Sequence, residues 1–201
     1  MKLYYSPGAC SLSPHIVACE AALALELVKV DLKRKRTANG DDYRLLNANG
    51  YVPLLVLDDG RALSEVPAIV QYLADLAPEC GLIPVAGSFE RYQSQQWLNF
   101  IATEIHKSFG LLFNPIAPEA AKELAIKMLT TRLDTVAALL ANQPYLMGAS
   151  FGVADVYLFV TLNWGQYVNI DIAQWPALAN FVATVAQRPA VQQALREEGL
   201  M

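Results

Sequence analysis

The stretch Pro78-Glu79-Cys80-Gly81-Leu82-Ile83-Pro84-Val85-Ala86-Gly87 constrains the fold of this chain more than any other segment. With two prolines and two glycines in ten residues, it lets neither a helix nor a strand run through. Before it, strand and helix alternate. Residues 3–5, 27–30 and 52–57 read as strands, and Asp58-Asp59-Gly60 turns the third into a fourth at 61–63. A helix is expected from Glu65, with Ser64 as its N-cap and Ile69, Val70, Tyr72, Leu73 and Leu76 as its apolar positions. After the break no strand pattern is convincing. Helical patterns cover about 88–113, 118–142, 153–168 and 174–186, with a short one at 189–197, and Pro115, Pro118, Pro144, Pro176 and Pro189 punctuate them. The reading is an α/β domain over 1–80, a linker over 81–87 and an all-α domain over 88–201.

The chain has 201 residues, 54% of them hydrophobic and 17% charged, so it can bury a sizeable core and is not expected to be disordered. No apolar run reaches the ~18 residues of a membrane span, and no basic segment followed by an apolar one marks a secretory signal. The net charge of −4 argues against nucleic acid as the main partner. The three cysteines, Cys10, Cys19 and Cys80, suit a reducing cytosol. Cys10 and Cys19 would lie about 13 Å apart on one helix at ~1.5 Å per residue, too far for a disulfide. Cys19 reads as a small buried hydrophobe, and Cys80, in the break, carries no functional reading.

Cys10 is the first candidate for chemistry. The turn Ser6-Pro7-Gly8 follows the first strand, and Ser11, Ser13 and Pro14 are residues that start helices. A thiol at that point meets outward backbone N–H groups, which favour thiolate. Ser13 occupies the position where a resolving cysteine would stand, so the site needs its second sulfur from outside. Val52-Pro53 opens a strand. If that bond is cis, the Val52 backbone is free to pair with an extended peptide-like ligand; if trans, Pro53 simply starts an edge strand. The N–H groups of Glu65 and Val66 could hold a carboxylate, and the Glu65 side chain an ammonium; the pair also reads as an ordinary helix start. Lys33-Arg34-Lys35-Arg36 is a basic run in a polar connector, either solvated or pairing with a ligand carboxylate. Farther on, Asn99, Thr103 and His106 share one face of a helix, with Lys107 adjacent. His106 is either a structural histidine or a donor or cation beside a reactive sulfur. His15 is read as structural.

Together, in this order and spacing, Pro7-Gly8-Ala9-Cys10-Ser11, Lys35-Arg36, Val52-Pro53, Ser64-Glu65, Thr103-Glu104-Ile105-His106-Lys107 and Val153-Ala154-Asp155 resemble a cytosolic glutathione S-transferase of the bacterial beta class, over the whole chain. The resemblance implies a thioredoxin-like N-terminal domain followed by an all-helical one. It implies glutathione as co-substrate, no metal, a hydrophobic electrophile as acceptor, a homodimer and a cytoplasmic location. It places Cys10 and His106 at the glutathione sulfur, with Lys107 nearby, and Lys35 at the glycyl carboxylate. Val52, before a cis Pro53, would pair with the cysteinyl backbone, while Glu65 and the Val66 N–H would take the γ-glutamyl end. Asn99, Thr103, Glu104 and Ile105 would complete the site, some reaching across a dimer interface. Phe109, Phe113 and Trp164 would line the acceptor pocket, and Tyr5 is a further candidate to assist the thiol. The chain departs from the family pattern at Val66, where a serine is common, and at Gly152, where the helix-start motif usually has Ser or Thr. Conjugation and thiol–disulfide exchange are both open to such a site; a non-catalytic ligand-binding or interaction protein is the alternative.

Overall fold

The computed structural model describes residues 1–201. The contacts divide them into two compact units: Met1–Leu82 together with Arg188–Met201, and Ile83–Gln187.

Unit 1 is built on a five-stranded sheet. Its strands are β1 (Lys2–Tyr5), β2 (Glu26–Asp31), β3 (Arg36–Thr37), β4 (Leu54–Val56) and β5 (Ala62–Ser64), in the order β3-β2-β1-β4-β5. β1 is parallel to β2, and the other neighbours are antiparallel. The basic run, expected to be a connector, contributes Arg36 to β3 because the chain reverses tightly there. The Asp31 carboxylate accepts the N–H groups of Lys33 and Arg34, and Arg36 returns to pair with Asp31. Helix α1 (Leu12–Glu20) is buried from Leu12 to Ala18. Helix α2 (Val66–Asp75) buries Val66, Ile69, Val70, Leu73 and Ala74, the i, i+3, i+4, i+7, i+8 stripe of a helix lying on a core. It starts one residue later than expected. Ser64 is held in the ladder opposite Leu54, so the turn and the N-cap position fall on Glu65.

Unit 2 is all-helical: α3 (Phe89–Phe100), α4 (Lys107–Leu112), α5 (Glu119–Leu140), α6 (Val153–Leu162) and α7 (Pro176–Ala186). α6 is buried along its whole length and forms the centre of the unit. Its start is fixed by Asp155, whose carboxylate accepts the N–H of Gly152 at 2.9 Å and of Leu146 at 2.8 Å. Gly152 supplies no reciprocal side-chain bond, a deficit of a few tenths of a kcal/mol against Ser. After α6 the chain tightens into a 3-10 turn over Asn163–Tyr167, where a Cβ on Gly165 would lie 2.6 Å from the Ile170 carbonyl oxygen. The helix expected at 88–113 is not uniform. Ile101–His106 forms a π-helical turn between α3 and α4.

The expected all-α domain of 88–201 differs from the observed grouping at its far end. Helix α8 (Pro189–Glu197) packs on α1 and belongs to unit 1. Arg188, just before it, grips the Glu20 carboxylate with Nε at 2.6 Å and Nη2 at 2.8 Å, a two-pronged ion pair at the end of α1.

Candidate functional site

In unit 1 the turn after β1 is closed by its own hydroxyl. Ser11 Oγ accepts the Ser6 N–H at 3.1 Å and donates to the Ser6 carbonyl at 3.2 Å. This sets Cys10 immediately before α1. Its S–H donates to the Val52 carbonyl at 3.3 Å, so the two residues expected at the sulfur end of a ligand do meet. The Val52–Pro53 bond is cis. The loop leading to it is tied down by Tyr43 Oη and Asn47 Nδ2, each donating to the Tyr51 carbonyl at 2.8 Å. Tyr43 and Val52 are themselves part of a buried cluster with Val30 and Leu54.

The expectation of a ready thiolate at Cys10 is not met. Burial pushes the thiol up to about 12, and the Glu65 carboxylate adds to the rise. The N–H groups of Cys10 and Ser11 pull the other way, as their place at a helix start implies, but they are outweighed. In this state Cys10 is a hydrogen-bond donor rather than an anion.

Lys35 and Glu65 both have left-handed backbone φ, +56° and +72°. Glu65 combines this with ψ of 123°, a conformation that costs on the order of 1–3 kcal/mol and is concentrated at ligand sites. It leaves the acidic side chain exposed at the head of α2, while the Val66 side chain is buried and can offer a ligand only its backbone. The Val66 N–H lies in the first turn, where no intrahelical acceptor exists. Lys35 Nζ donates to the Gly50 carbonyl at 2.8 Å and lies 5.5 Å from the centre of the Tyr51 ring. Tyr5, by contrast, is buried against His15, its ring 6.5 Å away, and burial followed by the charge of Glu198 holds its hydroxyl above the ordinary range. It belongs to a separate cluster.

In unit 2, Asn99 and Thr103 are exposed and adjacent, with Thr103 Oγ1 donating to the Asn99 carbonyl at 3.0 Å. His106 does not share their face. The π turn inserts an extra residue and rotates it inward, so that Nδ1 lies 2.6 Å from the Tyr157 hydroxyl on α6. Burial, then the charge of Lys107, lowers His106 to about 4. It is therefore neutral near pH 7, a hydrogen-bonding group and not a cation. If Tyr157 donates to Nδ1, the proton of the imidazole sits on Nε2. Tyr157 was missed from sequence; its only trace there is a phenolic hydroxyl in a largely apolar helix. Glu104 is engaged by Arg132 Nε at 2.7 Å, Lys107 is exposed, and Ile105 is fully buried, so Ile105 cannot meet a ligand through its side chain.

Phe109, Phe113 and Trp164 do come together. Their ring centres lie 5.8 to 6.3 Å apart, and Trp164 sits edge-on to His106 at 4.8 Å. Phe109 is fully buried and forms the backing of this cluster, whereas Phe113 is 45% exposed.

Comparison with known proteins shows the family. Residues 8–76 match the family model for the glutathione S-transferase N-terminal domain, and residues 100–189 that for its C-terminal domain. Glutathione S-transferase GstA of Escherichia coli O157:H7 is 45% identical, with all of both chains aligned. Among solved structures, the ternary complex of BphK, a bacterial transferase of this kind, superposes with a TM-score of 0.98 at 59% identity, covering both chains fully. A sphingomonad glutathione S-transferase complexed with glutathione superposes at 0.96 with 45% identity, again over the full length of both.

Proposed function

We infer, from the premise that the chain belongs to the glutathione S-transferase family, that unit 1 holds glutathione along the line Lys35, Val52, Cys10 and Glu65. The protein is a glutathione transferase, with glutathione as its co-substrate. The assignment of residues rests above all on one observation, the 3.3 Å contact of the Cys10 thiol with the Val52 carbonyl. It supports a site in which the backbone of Val52 receives the cysteinyl backbone of glutathione while Cys10 faces its sulfur. Lys35 then takes the glycyl carboxylate, and Glu65 with the Val66 N–H the γ-glutamyl end. In unit 2, family resemblance assigns His106, Asn99, Thr103, Glu104 and Lys107 as glutathione contacts, with Ile105 only through its backbone. Phe113, backed by Phe109 and Trp164, contacts a hydrophobic electrophile.

The protonated state of Cys10 favours conjugation as the main reaction. Conjugation uses the sulfur of glutathione itself, and a neighbouring S–H can donate to that thiolate and hold it. Thiol–disulfide exchange needs Cys10 ionised. Its thiolate would displace a thiol from a glutathione mixed disulfide, and a second glutathione thiolate would then release oxidised glutathione and free Cys10. This is the slower activity of the site. Family resemblance supports a homodimer acting in the cytoplasm, and Tyr51, Phe89 and Tyr92 expose large apolar surfaces that a second copy would cover.

The test is retention on immobilised glutathione with elution by the free tripeptide, followed by turnover of an aryl halide and of a glutathione mixed disulfide. Cys10→Ala is expected to abolish exchange and to spare part of conjugation. Exchange untouched by that substitution overturns the role of Cys10, and failure to bind glutathione overturns the site. Sedimentation at micromolar concentration reads the dimer, and a clean monomer removes it.

A further inference from the structure

His15, read from sequence as structural, stands in a second cluster of unit 1 that the transferase reaction does not use. His15 and Cys19 are one turn apart on α1 and project from the same face. α8 lies across that face and brings two carboxylates. His15 Nε2 is 2.7 Å from Glu197 Oε2, and Nδ1 is 3.0 Å from Glu198 Oε1. One ligand atom each from His15, Cys19 and Glu197 all lie within 4.8 Å of one another. Cys19, expected to be a buried hydrophobe, is only half-buried and lies beside the imidazole instead.

We propose that His15 Nε2, Cys19 Sγ and a Glu197 carboxylate oxygen form a binding site for a zinc-class divalent cation, with water as fourth ligand. The donor set selects the ion. One imidazole, one thiolate and one carboxylate suit zinc and cobalt(II), whereas magnesium and calcium take oxygen ligands. At ~2.0–2.3 Å from a tetrahedral ion such atoms stand about 3–4 Å apart, within reach of small side-chain adjustments from the observed spacing.

The outer shell is already in place. Glu198 has no exposed side-chain surface and is held by the Gly8 N–H at 2.9 Å, and its other oxygen faces His15 Nδ1. That is the carboxylate–histidine arrangement that orients an imidazole toward a metal. Glu197, with 43% of its side chain exposed and its other oxygen accepting from Gln193, leaves the cluster open to entry of an ion. The Tyr5 ring lies 6.5 Å from the imidazole and tilted to it, and the Glu20–Arg188 pair, one residue beyond Cys19 in α1, is satisfied and offers no free charge. Binding replaces one proton on the imidazole nitrogen and one on the thiol, and both are released to solvent. The bound ion would bridge α1 and α8, directly behind the turn that presents Cys10.

Cobalt(II) added to the reduced, metal-free protein tests this. One equivalent is expected to give a thiolate-to-cobalt charge-transfer band, and zinc is expected to bleach that band and to raise the thermal midpoint. Cys19→Ser should abolish the band, Glu197→Gln should weaken binding at least tenfold, and Cys10→Ala should leave the band intact. No band in the parent protein overturns the site. So does a band that survives Cys19→Ser and vanishes in Cys10→Ala, since the thiol would then be Cys10. A zinc-induced rise in thermal midpoint of equal size in the parent and in Cys19→Ser overturns it as well.

Discussion

The two histidines of this chain are both withdrawn from solvent, yet they come to rest in opposite protonation states. His106 in unit 2 has a tyrosine hydroxyl on one nitrogen and a lysine beside it, and it is lowered to about 4. His15 in unit 1 has carboxylates on both nitrogens. Burial works against its charge, but Cys19, Glu198 and Glu197 together outweigh it and raise the group to about 10. Burial pushes both in the same direction; the partners decide the outcome. One histidine is thereby a neutral hydrogen-bonding group, and the other is the counter-ion that allows Glu198 to remain buried.

That contrast can be broken most forcefully at His15. His15→Ala leaves the enclosed Glu198 carboxylate without its cation, and the loss is expected to be about 3–5 kcal/mol, read as a lower urea midpoint. A pH series on His106 comes next. Its folded value lies below the ordinary 6.5, so the unfolded chain takes up the proton first. The stability this gives is complete above about 6.5 and is lost as pH falls toward about 4; at ~1.4 kcal/mol per unit it amounts to about 3–4 kcal/mol. Urea titrations of the parent and of His106→Asn across that window should converge as the pH drops; parallel curves would refute the lowered value. Tyr157→Phe removes the hydroxyl from Nδ1 and should cost about 1–2 kcal/mol, measured in the same way. The mildest change is Lys107→Ala, which removes the smaller of the two causes acting on His106. A small upward movement in its NMR titration is expected, with burial still keeping it well below 6.5.

Local chemistry made much of this protein legible. The alternation of strand and helix, the Pro/Gly break, and the residues around Cys10, Lys35, Val52 and Glu65 follow from patterns within a few residues, and the structure brings Cys10 and Val52 into contact. What stayed hidden depends on partners far away in sequence. Nothing near His15 announces Glu197 and Glu198, which lie more than 180 residues on, and the amphipathic pattern of α8 shows that it packs without showing against what. The position of His106 was misread for a different reason. A regular helical period was assumed across Ile101–His106, where the backbone takes a π turn. The acidity of Cys10 was misread because two backbone N–H groups are visible in a sequence, while the desolvation that outweighs them is not.

The allegiance of residues 188–201 to unit 1 has a consequence for synthesis. Residues 1–82 emerge from the ribosome long before α8, so the face of α1 that bears His15 and Cys19 remains uncovered while all of unit 2 is being made. The helical unit can complete its own core first, since α6 and everything packed around it lie within 83–187. The turn that carries Cys10 gains its Glu198 anchor only when translation has passed that codon, so the part made first is the part finished last.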